Sequence, residues 1–235
     1  MDARSALDPA ALFEEAFGMP ALGWQRDYLR AAGDVAILKG RQIGASLAAA
    51  ALAIRTARYS SDVNAVIVSP SLKQSTEITT KARIGVHNLG LRLVQDSTST
   101  LRLSNGSRIL SLPGTARSVR GWSARLLILD EAAYIGPETW TAARALVATG
   151  GRTIVQSTPA DETGDFHDLV SGDDPAWTRF TVRSDEVPTI SAEFLEAQRR
   201  QMAPDAYATE FECQFGRAGA RLFTAEQVDA MFASA

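Results

Sequence analysis

Unbroken apolar runs that stop abruptly at polar residues constrain this sequence more than any other feature. Val35-Ala36-Ile37-Leu38 stops at Lys39, Ala65-Val66-Ile67-Val68 at Ser69-Pro70, Leu126-Leu127-Ile128-Leu129 at Asp130-Glu131, and Thr153-Ile154-Val155 at Gln156-Ser157-Thr158-Pro159. A strand with one wet face alternates apolar and polar residues. A run without alternation is covered on both faces, as in a parallel sheet between helix layers. Such sheets gather their binding groups beyond the C-terminal ends of the strands, so the residues at which the runs stop are the first candidates for chemistry.

Helical signals fill the spaces between the runs. Residues 8–32 carry Leu12, Phe13, Ala16 and Phe17 at near-helical spacing, a break at Gly18-Met19-Pro20, and then Trp24, Tyr28 and Leu29. An Ala-rich helix is predicted from Ser46 to about Tyr59, and another from Leu72 to about Val86 after the turn Ser69-Pro70-Ser71. Asn105-Gly106, between Leu101-Arg102-Leu103 and Ile109-Leu110-Ser111-Leu112, predicts an antiparallel hairpin because both residues tolerate positive φ. Residues 160–176 hold Asp161, Glu162, Asp165, Asp168, Asp173 and Asp174 without Lys or Arg, and read as a solvated surface segment. Phe194, Leu195, Gln198 and Met202, then Tyr207 and Phe211, predict two helices broken at Pro204.

Composition narrows the class. With 235 residues, 46% hydrophobic and 22% charged, the chain suits one large domain or a domain with a small appendage, and is too apolar to stay unfolded. Cys213 stands alone, so no intramolecular disulfide forms, and no basic segment followed by an apolar one opens the chain; a reducing cytoplasm is expected. The longest apolar stretch, Leu47 to Ile54, is far short of the roughly 20 residues that cross a bilayer, and no membrane span is expected. Net charge is −3, which gives the whole molecule no pull toward nucleic acid. Two stretches are nevertheless free of acidic residues. One runs from Asp34 to Asp62 and holds Lys39, Arg41, Arg55 and Arg58; the other runs from Asp96 to Asp130 and holds Arg102, Arg108, Arg117, Arg120 and Arg125.

Three strand ends carry candidate chemistry. Lys39-Gly40-Arg41-Gln42-Ile43-Gly44-Ala45-Ser46 joins a strand to a helix, where backbone N–H groups and the positive helix end suit a polyphosphate. The standard phosphate loop has Gly, four residues, then Gly-Lys-Ser/Thr. Here Ala45 fills the lysine slot and Lys39 the first glycine slot, so Lys39 is the loop's only ammonium, with Arg41 a second candidate cation. A generic strand-to-helix turn is the ordinary alternative. Asp130-Glu131 after four apolar residues matches the Walker B pattern, in which one carboxylate serves Mg²⁺ and the next polarises the attacking water. The ordinary alternative is a cap on the helix that follows. Gln156-Ser157-Thr158-Pro159 offers an amide and two hydroxyls that could report on the γ-phosphate, or a Ser/Thr turn closed by proline.

Taken together these residues resemble the ATPase domain of the large terminase subunit, the DNA-packaging motor of tailed phages and herpesviruses. Trp24-Gln25 resembles that family's adenine-contacting element, Gly40 to Ser46 its variant phosphate loop, Leu126 to Ala132 its Walker B strand, and Ser157-Thr158-Pro159 its coupling motif. Tyr207 to Phe215 is similar to the stretch that closes the ATPase region. The resemblance implies an α/β fold of the P-loop NTPase (RecA-like, ASCE) type, with a mostly parallel sheet flanked by helices and a small helical C-terminal subdomain. Residues 1–34 would form a helical lead-in, 35–180 the ATPase core and 181–235 a lid or linker. It implies ATP and Mg²⁺ as cofactors. Trp24, Gln25, Ser157, Thr158 and the loop from Lys39 through Gly40, Arg41, Gln42, Ile43, Gly44, Ala45 and Ser46 would contact nucleotide, Ser46 and Asp130 would serve the metal, and Glu131 would be the catalytic carboxylate with Lys39. Arg120 would be an arginine offered to a neighbouring subunit, with Arg117 next in order. Implied partners are double-stranded DNA, a portal protein, the small terminase subunit and further copies in a ring, at the procapsid portal in the host cytoplasm. No carboxylate cluster follows Phe223, so a nuclease domain and DNA cleavage are not expected in this chain. A helicase-type ATPase and a nucleotide-binding scaffold without hydrolysis are the competing functions.

Overall fold

The apolar runs are strands, and they lie side by side. The computed structural model describes residues 3–216; the expected lid or linker extends past this to 235, and its residues 217–235 lie outside the described part. In chain order the elements are α1 (Ala3–Leu7), α2 (Pro9–Phe17), α3 (Gly23–Arg30), β1 (Asp34–Lys39), α4 (Ala45–Tyr59), β2 (Asn64–Ser69), α5 (Leu72–Asn88), β3 (Leu93–Ser97), β4 (Thr100–Leu103), β5 (Arg108–Pro113), α6 (Ala116–Val119), β6 (Ala124–Asp130), α7 (Pro137–Arg144), β7 (Val147–Ser157), α8 (Asp165–Ser171), β8 (Trp177–Val182), α9 (Ala192–Gln201) and α10 (Pro204–Glu212). Single 3₁₀ turns occupy Ala132–Tyr134 and Ser184–Glu186.

The sheet has eight strands in the order β3-β4-β5-β2-β6-β7-β1-β8. From β5 to β8 every pairing is parallel, while β3, β4 and β5 pair antiparallel. Alternation along the parallel strands divides the core. Val35, Ile37, Ala65, Ile67, Leu126, Ile128 and Ile154 pack under α2, α3, α4 and α5. Ala36, Leu38, Val66, Val68, Leu127, Leu129 and Val155 pack against Trp140 and Ala143 of α7 and Phe166 of α8. Both faces are therefore dry, which is why these runs do not alternate in the sequence. Among the described residues no helix is long and apolar enough to cross a membrane.

Departures from the sequence reading lie at the sheet edges. β3 and β8 were not anticipated, because exposed edge strands mix charged and apolar residues and lose the apolar signal. The hairpin forms, but only Gly106 takes positive φ (87°); Asn105 instead donates its amide to the carbonyls of Ala57 and Ser60 and ties the turn to the end of α4. The acidic segment is a solvated surface segment as expected, with Asp161, Glu162, Asp165, Asp168, Asp173 and Asp174 all exposed, but it also carries a helix. It contains α8, whose Phe166 is buried in the second face of the core.

Helices α4 and α5 meet closely because α5 has no side chain at Gly85, where it faces Ile54 of α4. Ser71 caps α5, with Gln74 reaching back to the Ser71 N–H. Gly85 of α5 sits where a Cβ would lie 2.6 Å from Ile54 Cδ1 and 3.3 Å from both Ala16 Cβ and Phe17 Cε1. A larger residue there forces the helices apart. Gly85→Val is expected to destabilise the fold by about 1–3 kcal/mol through overpacking, read as a lower midpoint in urea unfolding.

Candidate active site

Strand register brings the polar ends into one line. Ile37 on β1, Gln156 on β7 and Asp130 on β6 are neighbours, and Leu38 pairs with Ser157 one residue further on. Because β7 lies between them, β1 and β6 are two strand spacings apart, about 10 Å. Lys39 and Glu131 close that gap with their side chains: Lys39 Nζ donates to Glu131 Oε1 at 2.7 Å, and Ser157 Oγ donates to Oε2 at 3.3 Å. The lysine side chain is only 8% exposed and the glutamate 21%, so water screens the pair poorly.

The two carboxylates take different partners. Asp130 continues the strand's alternation onto the α3–α5 face, where Gln156 Nε2 donates to its Oδ1 at 2.7 Å; Gln156 Oε1 in turn accepts from Tyr28 OH at 3.5 Å. Glu131 breaks the alternation with a left-handed backbone (φ 50°, ψ 47°), which is uncommon for a residue with a Cβ. It stands at the start of the 3₁₀ turn yet makes no side-chain cap, so neither carboxylate is spent on capping. Burial pushes the Asp130 carboxyl above its usual range, the Lys39 charge opposes this, and Glu131 adds to it.

The loop is held at three places. Gly40 N–H donates to the Val182 carbonyl at 2.8 Å, Arg41 N–H to the Glu210 carbonyl at 2.7 Å, and Ser184 Oγ to the Arg41 carbonyl at 2.8 Å. A Cβ on Gly40 would lie 2.8 Å from the Phe211 carbonyl oxygen, so this close approach requires glycine. Gln42 (φ 62°) and Gly44 (φ 87°) make the left-handed turn into α4. Gln25 braces that turn from α3: its Oε1 accepts the Leu22 N–H at 2.9 Å, and its Nε2 donates to the Gly44 carbonyl at 3.3 Å. Lys39, Gly40 and the loop from Gln42 to Ser46 border a cavity of about 250 Å³.

The sequence-derived candidates do not all meet here. Lys39, Gly44, Ser46, Asp130, Glu131 and Ser157 belong to the loop or the strand ends beside it, Gln25 braces the loop from α3, and Thr158 is buried next to Ser157. Arg41 does not line the cavity; its guanidinium makes a two-pronged pair with Glu210 at 2.6 and 3.1 Å. Trp24 packs against Tyr28 at the core's margin, with its Nε1 buried and unpartnered among the described residues. Arg120 is exposed and borders a different cavity, with Trp122 and Glu138. Sequence reasoning missed Lys81. It lies on α5, lines the loop cavity, and its charge bears on Asp130. No motif marks it; only the packing of α5 on α4 brings it there.

Chemically, the site offers two ammonium groups, a hydroxyl at a helix start, and two carboxylates on separate partners. Among the described residues no three His, Cys, Asp or Glu are grouped to hold a metal. One carboxylate, Asp130, and one hydroxyl, Ser46, near the loop are a donor set of the kind that suits Mg²⁺, which keeps most of its shell for water and substrate oxygens.

Because burial raises the Asp130 pKa, the folded chain holds that proton more tightly than the unfolded one. Stability is therefore lost as pH rises from the ordinary carboxylate range through the folded pKa, and the penalty is absent in acid. Asp130→Asn, in the nucleotide-free chain, is expected to gain about 1 kcal/mol at neutral pH. Urea unfolding of both forms across pH should show the gap closing on acidification.

The fold has known relatives. The family model for the terminase large subunit, T4-like virus type, N-terminal region, matches residues 36–229. The ATPase domain of the large terminase of Thermus phage P74-26 superposes with a TM-score of 0.76 at 18% identity, over 88% of this chain and 99% of that one. The large terminase of a thermophilic bacteriophage, in complex with ADP, gives 0.73 at 13% identity, over 83% of this chain and 54% of that one. The bacteriophage HK97 large terminase gives 0.72 at 17% identity, over 89% and 55%. This chain thus spans about half the length of the latter two proteins. No curated protein sequence matches it significantly. The chain belongs to the T4-like terminase large-subunit family and has the fold of its ATPase domain.

Proposed function

We propose that this chain hydrolyses ATP to drive double-stranded DNA into a procapsid. One observation carries the reading: Lys39 and Glu131, from strands on either side of β7, meet over Ser157 at the mouth of the phosphate loop. The large terminase of the thermophilic bacteriophage has been captured with ADP and with ATP-γ-S, which supports nucleotide as the ligand of the cavity here. DNA, a portal protein, a small terminase subunit, a ring of copies and a place at the portal in the host cytoplasm complete the proposal on the strength of family membership.

The chain's residues divide the work. Backbone N–H groups of the loop and the start of α4 receive the phosphates. Glu131 holds the attacking water and accepts its proton on the carboxylate. The Lys39 ammonium holds that carboxylate in place, and an incoming phosphate competes for the same ammonium, so nucleotide arrival and release of Glu131 for catalysis are linked. Lys81 supplies the positive charge that Ala45 lacks. Ser46 and Asp130 would hold Mg²⁺, which when bound neutralises phosphate charge. Arg120, remote from the chain's own loop, is left to face a neighbouring subunit's nucleotide in the ring.

Mg²⁺-dependent ATP hydrolysis tests the reading. Glu131→Gln should keep ATP binding and lose turnover by about 10²-fold or more, whereas Lys39→Ala should lose both. A wild type that binds ATP yet turns over no faster than Glu131→Gln, even with portal and DNA present, would make the chain a scaffold. Lys81→Ala should weaken ATP binding about tenfold, and Ala45→Lys in that background should restore it, measured by nucleotide titration.

A further inference from the structure

The cationic stretches of the sequence that the nucleotide site leaves unused converge at the opposite end of the strands. Arg55, near the end of α4, comes from the first stretch, and Arg125, at the start of β6, from the second. With Arg152 of β7, Tyr59 and Ser60 they line a cavity of about 360 Å³. Helix α4 connects the two sites: its N-terminus lies in the phosphate loop and its last turns here, about 20 Å apart at 1.5 Å per residue.

This cavity is built for a group with negative charge and several acceptor oxygens. No carboxylate lines it among the described residues. Asp34, the acidic group whose charge reaches Arg152, has its Oδ1 engaged by the Thr153 N–H at 2.7 Å. Arg152 Nε and Nη2 and the Tyr59 hydroxyl are buried with no hydrogen-bond partner among the described residues. Buried donors left unpaired forfeit their hydration without recompense, and an acceptor entering the cavity would restore it. The other two guanidinium groups are only partly used: Arg55 Nη1 donates to the Ala6 carbonyl at 2.9 Å and the Ser5 carbonyl at 3.5 Å, and Arg125 Nη1 to the Thr149 carbonyl at 3.4 Å. Gly150, at φ 73°, makes room for Arg125, since a Cβ there would lie 2.7 Å from Arg125 Nη1. Three guanidinium groups repel one another unless an anion joins them, and their planar forks match phosphate oxygens.

We propose that this cavity is a second anion site that binds a phosphate group, distinct from the nucleotide site at the other end of α4. Its volume exceeds a bare phosphate and falls in the range of about 300–1,000 Å³ usual for ligand sites, so the phosphate enters with its parent molecule. Two sources share this chemistry, a nucleic-acid backbone and a free phosphorylated small molecule; the first rests on the DNA-motor reading and the second does not.

The test uses the full chain carrying Lys39→Ala, so that phosphate binding no longer depends on the loop lysine and the outcome is independent of the ATPase reading. Pyrophosphate is titrated calorimetrically, and a labelled blunt DNA duplex by fluorescence anisotropy at several salt concentrations. We expect binding of at least one probe, weakened about tenfold or more by adding Arg125→Glu, an exposed position, and by adding Arg152→Gln. Circular dichroism melts check that both variants fold, and Arg125→Glu in the otherwise natural chain should leave DNA-free ATP turnover unchanged. Loss of duplex binding identifies a backbone phosphate; loss of pyrophosphate binding alone identifies a free one. Failure of both probes to bind, or binding that Arg125→Glu leaves unchanged, overturns the proposal.

Discussion

The Lys39–Glu131 ion pair depends on nearly everything else in the structure, and the proposed nucleotide site depends on it. Neither side chain could reach the other if their strands were not separated by a single neighbour in register, and that neighbour, β7, supplies Ser157 beneath the pair. A pair so little exposed must be well hydrogen-bonded to be tolerated, since desolvation offsets much of its Coulomb attraction. The second bond from Ser157, the left-handed turn at Glu131 and the clamps on Gly40 and Arg41 all serve to hold the two charged ends at one point.

That arrangement also explains how a loop without its usual lysine can still be cationic. Lys39 enters from the end of β1, and Lys81 from α5, so the positive charge comes from two other elements rather than from the start of α4. Arg41, which stands between the loop's ends in sequence, is drawn outward by Glu210 and instead fastens the loop to α10. The C-terminal helices are thereby tied to the phosphate loop: Ser184 and Cys213, whose Sγ donates to the Val182 carbonyl at 3.3 Å, flank the same few residues. Burial pushes the Cys213 thiol up to about 12, so it acts here as a small packed donor rather than as a reactive group.

Much of the fold was readable because its signals are local. Parallel strands dry on both faces must be continuously apolar, and Val35 to Leu38, Ala65 to Val68 and Leu126 to Leu129 are; Ser71 before α5 and the break at Pro204 mark helix ends by backbone chemistry alone. The exposed edge strands β3 and β8 were not readable, since their pairing partners rather than their own side chains make them strands.

The sequence alone therefore marked strand-end residues as candidates for phosphate chemistry, with Lys39 or Arg41 to stand in for the absent lysine, because strand-end position and residue type are local properties. Tertiary structure alone decided which of them meet. It inserted β7 between β1 and β6, turned Arg41 away to Glu210, brought Lys81 to the loop by letting α5 approach α4 at Gly85, and gathered Arg55, Arg125 and Arg152 at the far end of the strands. Those meetings join residues tens of positions apart, and their geometry is fixed by sheet order and helix packing, which no single stretch of chain encodes.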